Sequence, residues 1–186
     1  MSTTETDEPH VCRLTDLQVR LLLKPLDPAR VQRDDKGFDH VEQWDVRRWL
    51  NRVFSVGGWS VETISCDLVA QNKTTTKAGR DAHAVIYRAM VRLRIRAVCG
   101  HEIAVFEDGA VGENIMPSLG DAHDKAMKSA ISGALKRCAV NLGDGFGLSL
   151  YSKARPGLAV VGNFAPYWQR PQLEEAVDQA EQAQAA

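Results

Sequence analysis

The stretch "HAVIYRAMVRLRIRA", residues 83–97, constrains the fold more than any other. Val85, Tyr87, Ala89, Val91, Leu93, Ile95 and Ala97 alternate with Ile86, Arg88, Met90, Arg92, Arg94 and Arg96. A period of two belongs to a β-strand that turns one face to a core and the other to water. Arg88, Arg92, Arg94 and Arg96 then line the outer face at about 6.6 Å per two residues. Such a row repels itself until something neutralises it. A polyanion would do so; so would acids on neighbouring strands, Glu62, Glu102 and Glu107 among them.

The flanking sequence supplies the rest of a sheet and its cover. Strands are expected at about 59–71 and 101–111 on either side of the central one, with "NKTTTKAGRD" as a hairpin tip and Cys99-Gly100 as a tighter turn. Val46, Trp49, Leu50, Val53 and Phe54 fall at i, i+3, i+4, i+7 and i+8, the buried stripe of an amphipathic helix. Arg47, Arg48, Asn51 and Arg52 occupy its other face, and Gly57-Gly58 ends it. A shorter helix is expected over 16–24, with Thr15 and Gln18 at capping-box spacing and Pro25 as its stop. "RVQRDDKGFDHVE" reads as two short strands around a turn. After a loop, "NIMPSLG", a long helix is expected from about Asp121, with Met127, Ile131, Ala134, Leu135, Cys138 and Leu142 on its buried face. The sum is an α+β domain: an antiparallel meander preceded by a helix and hairpin and packed by a long helix after the strands. That domain is expected over 13–155, between a disordered tail at 1–12 and an irregular segment with an acidic, helix-prone end at 156–186.

Charge points weakly to the partner. The chain has 23 basic and 24 acidic residues, yet seven of the acids lie in residues 1–10 and 172–186, which contain no Lys or Arg. The body of the chain is therefore basic, as a polyanion binder would be. On the long helix Lys125, Lys128 and Lys136 fall within about 80° of one another, opposite the apolar stripe, with Arg137 on one flank. No apolar run reaches the ~20 residues of a membrane span. The acidic, polar N-terminus fits neither a secretory signal nor a transit peptide, and four widely spaced cysteines suit reduced thiols, so the expected location is cytoplasmic.

Motifs for catalysis are sparse. "GDGFG" at 143–147 follows the long helix, at the carbonyl end that repels anions, and no Walker or dinucleotide fingerprint is present. These glycines read as a helix stop, which excludes a phosphate loop. "CGHE" at 99–102 lacks a second ligand cluster for zinc. Glu107 and Asp108 could hold magnesium in a nuclease, although the lysine spacing expected there is missing. His123 reads as a surface residue. The chain is therefore read as a non-enzyme without a cofactor.

Three segments in order, "HVEQWDVRRWLNRVFSVGGWSVETI" (40–64), "MVRLRIRAVCGHEIAVFEDGAVG" (90–112) and "DKAMKSAISGALKRCAVNLGDGFGLSLY" (124–151), resemble the annealing domain of the Rad52/Rad22-type recombination proteins over roughly residues 14–151. The resemblance implies a ring-forming homo-oligomer that anneals complementary single strands of DNA without ATP. It implies an inner DNA groove lined by Lys136 and Arg137, and a second, outer site near Arg96; Arg94 and Arg92, on the same strand face, are DNA-binding candidates from the arginine row itself. Where the family's pattern has a groove arginine this chain has Asp45, and where it has an aromatic before Gly-Trp this chain has Val56; Arg47 or Arg48 is expected to substitute. A short bacterial or phage relative would fit, with a single-strand-binding protein as a further partner and no membrane. Two other readings compete: a module for double-stranded nucleic acid, and a metal-dependent recombination nuclease.

Overall fold

Thr15 and Gln18 cap the first helix reciprocally: the Thr15 side chain accepts from the Gln18 backbone N–H, and the Gln18 side chain accepts from the Thr15 backbone N–H. The computed structural model describes residues 13–34, 37–76 and 78–151, so the tails expected at 1–12 and 156–186 lie outside the described residues. Helix α1 spans Asp16–Leu22. A 3-10 turn at Pro28–Arg30 leads into a hairpin of β1 (Val31–Arg33) and β2 (Asp39–Val41). Helix α2 (Gln43–Phe54) buries the expected stripe of Val46, Trp49, Leu50, Val53 and Phe54. Strands β3 (Trp59–Thr75), β4 (Asp81–Arg96) and β5 (Glu102–Met116) form an antiparallel sheet in that order. Helix α3 (Leu119–Val140) crosses it, and 3-10 turns follow at Asp144–Phe146 and Leu148–Tyr151.

The alternation in β4 holds. Val85, Ala89, Val91, Leu93 and Ile95 are buried, while Arg88, Arg92, Arg94 and Arg96 lie on the other face. Val91, Leu93 and Ile95 meet Ala134, Leu135 and Cys138 of α3 in one core, with Leu50 and Phe54 of α2 and Phe146.

Two expectations are corrected. Asn114, Ile115 and Met116 are the end of β5, paired with Val85, Ala84 and His83, so the loop before α3 is shorter than expected and the helix starts at Leu119. The buried face of α3 is also rotated. Ala122, Ala126, Ala130 and Ala134, spaced by four, are fully buried, whereas Met127 is 38% exposed and Ile131 only partly buried. At Ala126 and Ala130 alanines win because the backbone of Gly112 comes close to them. A Cβ on Gly112 of β5 would collide with the backbones of Ala126 and Ala130, and one on Gly133 would lie 2.9 Å from the Ala110 Cβ. Gly112→Ala should therefore push α3 off the sheet and destabilise the domain by about 1–3 kcal/mol, read as a lowered denaturation midpoint. Unchanged stability would mean that the helix does not sit this close.

Gly143 and Gly147, with φ of 119° and 95°, turn the chain out of α3, as a helix stop requires. Cys66 and Cys138 are free thiols, and burial pushes both up in pKa.

Candidate nucleic-acid interface

The register of the sheet decides what the strand arginines do. Cross-strand neighbours Arg92 and Glu107 meet at 2.6 Å, and Arg92 also reaches Glu62 at 3.2 Å. Arg94 holds Glu102 at 2.7 Å and Glu62 at 3.6 Å, and Arg88 meets Asp67 at 3.4 Å. The hydrogen bonds that Arg92 and Arg94 donate to Glu107 and Glu102 raise their respective pKa values. The row is thus neutralised within the sheet, which weakens the outer site expected of Arg92 and Arg94. Arg96 differs. The register shifts between Ile95 and Arg96, Arg94 takes the facing Glu102, and Arg96 has no ion pair among the described residues.

Helix α3 lies on the opposite face of the sheet, so its cations and the strand arginines do not converge within one chain. Lys125 and Lys128 sit in its N-terminal half, about 16 and 12 Å along the axis from Lys136. Lys128 pairs with Asp124 at 2.7 Å, and the Lys125 ammonium lies 3.6 Å from the Met116 sulfur. The sequence-predicted helix patch therefore divides in two.

Lys136 and Arg137 project to different sides of the last turns. Lys136 lines a cleft of about 670 Å³ walled by the β1–β2 hairpin (Phe38, His40), Phe146 and Tyr151. It has no ion pair among the described residues. Phe38 and Tyr151 are both largely exposed. Arg137 turns to the sheet, its Nε donating to Asp108 Oδ1 at 2.9 Å. That hydrogen bond, then the Asp108 charge, raises the Arg137 pKa. Glu107 faces Arg92 on one side of β5 while Asp108 faces the helix on the other. The two carboxylates point apart, and no group of three His, Cys, Asp or Glu side chains suited to a metal occurs among the described residues. The carboxylate pair that the competing nuclease reading requires does not assemble at Glu107 and Asp108. His123 is more than a surface residue: it joins Tyr87 Oη and Gln71 Oε1, each at 2.9 Å.

On α2, Arg47 is half-buried without an ion pair among the described residues, while Arg48 belongs to a cluster that the sequence did not disclose. Asp45 is only 2% exposed. It accepts from Arg30 Nε at 2.7 Å and from Arg48 Nη2 at 2.6 Å. Arg30 stands 4.3 Å from the Trp49 ring centroid, Arg52 5.4 Å from the same ring, and Arg48 5.3 Å from that of Trp44. The available signal was an acid inside an otherwise apolar helix face. Its partner Arg30, 15 residues upstream, follows from no local pattern.

Among the described residues no helix is long and apolar enough to cross a membrane. Residues 15–158 match the family described as Rad52/22 family double-strand break repair protein. Over 92 residues the chain is 34% identical to DNA repair protein RAD59 of Kluyveromyces lactis, an alignment covering 48% of this chain and 41% of that protein. A match over most of the described domain, on a helix–hairpin–helix–meander–helix frame, makes this chain a member of the Rad52/22 family of double-strand break repair proteins.

Proposed function

We propose that this chain binds single-stranded DNA at the C-terminal turns of α3 and anneals complementary strands without nucleotide, as a homo-oligomer. The observation that carries the reading is Lys136: a cation with no acid partner among the described residues, in a cleft with exposed aromatics at its rim. Arg88, Arg92 and Arg94, by contrast, already have carboxylates. Arg137 adds a second cation, a guanidinium that phosphate can take from Asp108, since both are partly exposed. Of the expected outer site, Arg96 has a charge that no acid among the described residues neutralises.

Assembly is supported by the sheet. Among the described residues β3, 17 residues long, and β5, 15 residues long, each pair on one side only. Ile64, Leu68 and Val69 on β3 and Val111 and Ile115 on β5 remain exposed. Long apolar edges left open invite another chain, and closing them around an axis would form the ring that the resemblance implies.

The test is annealing of two labelled complementary strands without nucleotide, with binding measured across a salt series. Wild type should anneal, prefer single strand over duplex, and lose affinity with salt at a slope of about −0.7 per phosphate neutralised. Preference for duplex would point instead to a double-stranded nucleic-acid module. Magnesium-dependent cleavage would point to a nuclease.

A further inference from the structure

A second cleft, of about 730 Å³, shares no lining residue with the one at Lys136. Its volume lies in the range of about 300–1,000 Å³ typical of small-ligand sites. Trp44, Arg48 and Arg52 of α2, spaced by four, form one stripe along its wall, and Lys24 and Arg30 enter from the segment after α1. Trp44 is 63% exposed, an unusual position for so large an apolar ring.

The charges are arranged around two indoles. Asp45 holds Arg30 and Arg48, and these stand over Trp49 and Trp44. The other acids of the cleft are occupied: Asp27 accepts from the Ala29 N–H, and Glu42 meets His40. Lys24 and Arg52 are exposed and have no ion pair among the described residues. An exposed indole beside unneutralised cations is complementary to a flat π-face attached to an anion. A single-stranded nucleotide has both parts; a duplex hides its base faces in the stack.

We propose that this cleft is a base-stacking subsite for single-stranded nucleic acid. Trp44 stacks one base, Lys24 and Arg52 hold the adjoining phosphates, and Asp45 is a positioning residue that keeps Arg30 and Arg48 over the rings. The inference rests on the single-strand reading of the previous subsection and adds what Lys136 and Arg137 lack, a contact to a base. One stacked base would fix the strand at one point while the others stay open to pair.

The experiment compares binding of oligothymidylate with that of an abasic phosphodiester strand of equal length, at one salt concentration, for wild type, Trp44→Ala, Trp44→Phe and the Lys136→Ala/Arg137→Ala double variant. Trp44→Ala should weaken oligothymidylate binding by about 5- to 140-fold, the loss of one base–aromatic stack, and leave abasic binding unchanged. Trp44→Phe should recover most of the loss. The double variant should weaken both strands alike. Equal loss on both strands in Trp44→Ala, or no loss on either, would overturn the subsite while leaving the annealing reading intact. So would a change in sedimentation with the contrast between strands preserved, since Trp44 would then be a contact between copies. Binding of neither strand by wild type would overturn both.

Discussion

Alanine at both Lys136 and Arg137 is expected to abolish strand annealing while leaving the fold and the oligomer in place. The two residues contribute differently. Lys136 has no acid to leave among the described residues, so each phosphate it meets is a net gain. Arg137 must exchange the Asp108 carboxylate, at 2.9 Å, for phosphate. Removing Arg137 has a second cost, because Asp108 then turns an unpaired negative charge toward the strand. If each cation neutralises one phosphate, the salt slope should fall by about 1.4 in magnitude. Stability should change little, since neither side chain belongs to the core and surface substitutions of this kind usually stay within about 0.5 kcal/mol. The measurements are annealing rate, the slope of log affinity against log salt, and thermal melting. Annealing at the wild-type rate, with an unchanged slope, would remove the assignment of the DNA surface to this end of α3.

The elements most legible in the sequence were those whose pattern answers only to water. β4 alternates because one face is wet, and α2 carries its stripe because one side of it is covered. Helix α3 was legible as an element but not in its rotation. Its buried face is selected by how closely the strand backbone can approach, through Gly112 and Gly133, and a hydrophobicity pattern ranks Met127 above Ala126. Arg88, Arg92, Arg94 and Arg96 were likewise visible as a row, yet which of them is neutralised depends on register, which places Glu107 opposite Arg92 and shifts beyond Ile95, where Arg96 is left without an ion pair among the described residues. Lys136 and Arg137 were found as a pair, but one helical step of 100° sends them to different neighbours. The Arg30–Asp45–Arg48 cluster was hidden for a different reason: an ion pair across 15 residues has no periodicity to reveal it.

Asp45→Ala is expected to destabilise the domain by about 3–5 kcal/mol, the usual consequence of stranding the other half of a buried ion pair. Arg30 is the half that suffers. Its side chain is 7% exposed, against 58% for Arg48, so Arg48 can turn to water and Arg30 cannot. Thermal melting at fixed protein concentration should show a fall in Tm of roughly 10–20 °C. An arginine at position 45, the residue type that the resemblance places in the groove, should be worse than alanine, because it would set a third guanidinium against Arg30 and Arg48. Replacing both partners at once, Asp45→Leu with Arg30→Met, should recover most of the stability, because a well-packed apolar pair carries no desolvation cost. A single Asp45→Ala change within about 0.5 kcal/mol of wild type would contradict a buried pair. The apolar double variant also separates folding from recognition. It should be stable, and with Arg30 gone from Trp49 and Arg48 released from Trp44, it should lose part of the preference for oligothymidylate over the abasic strand. Retaining that preference in full would assign Asp45 to stability alone and leave Trp44 to stack a base without the arginines behind it.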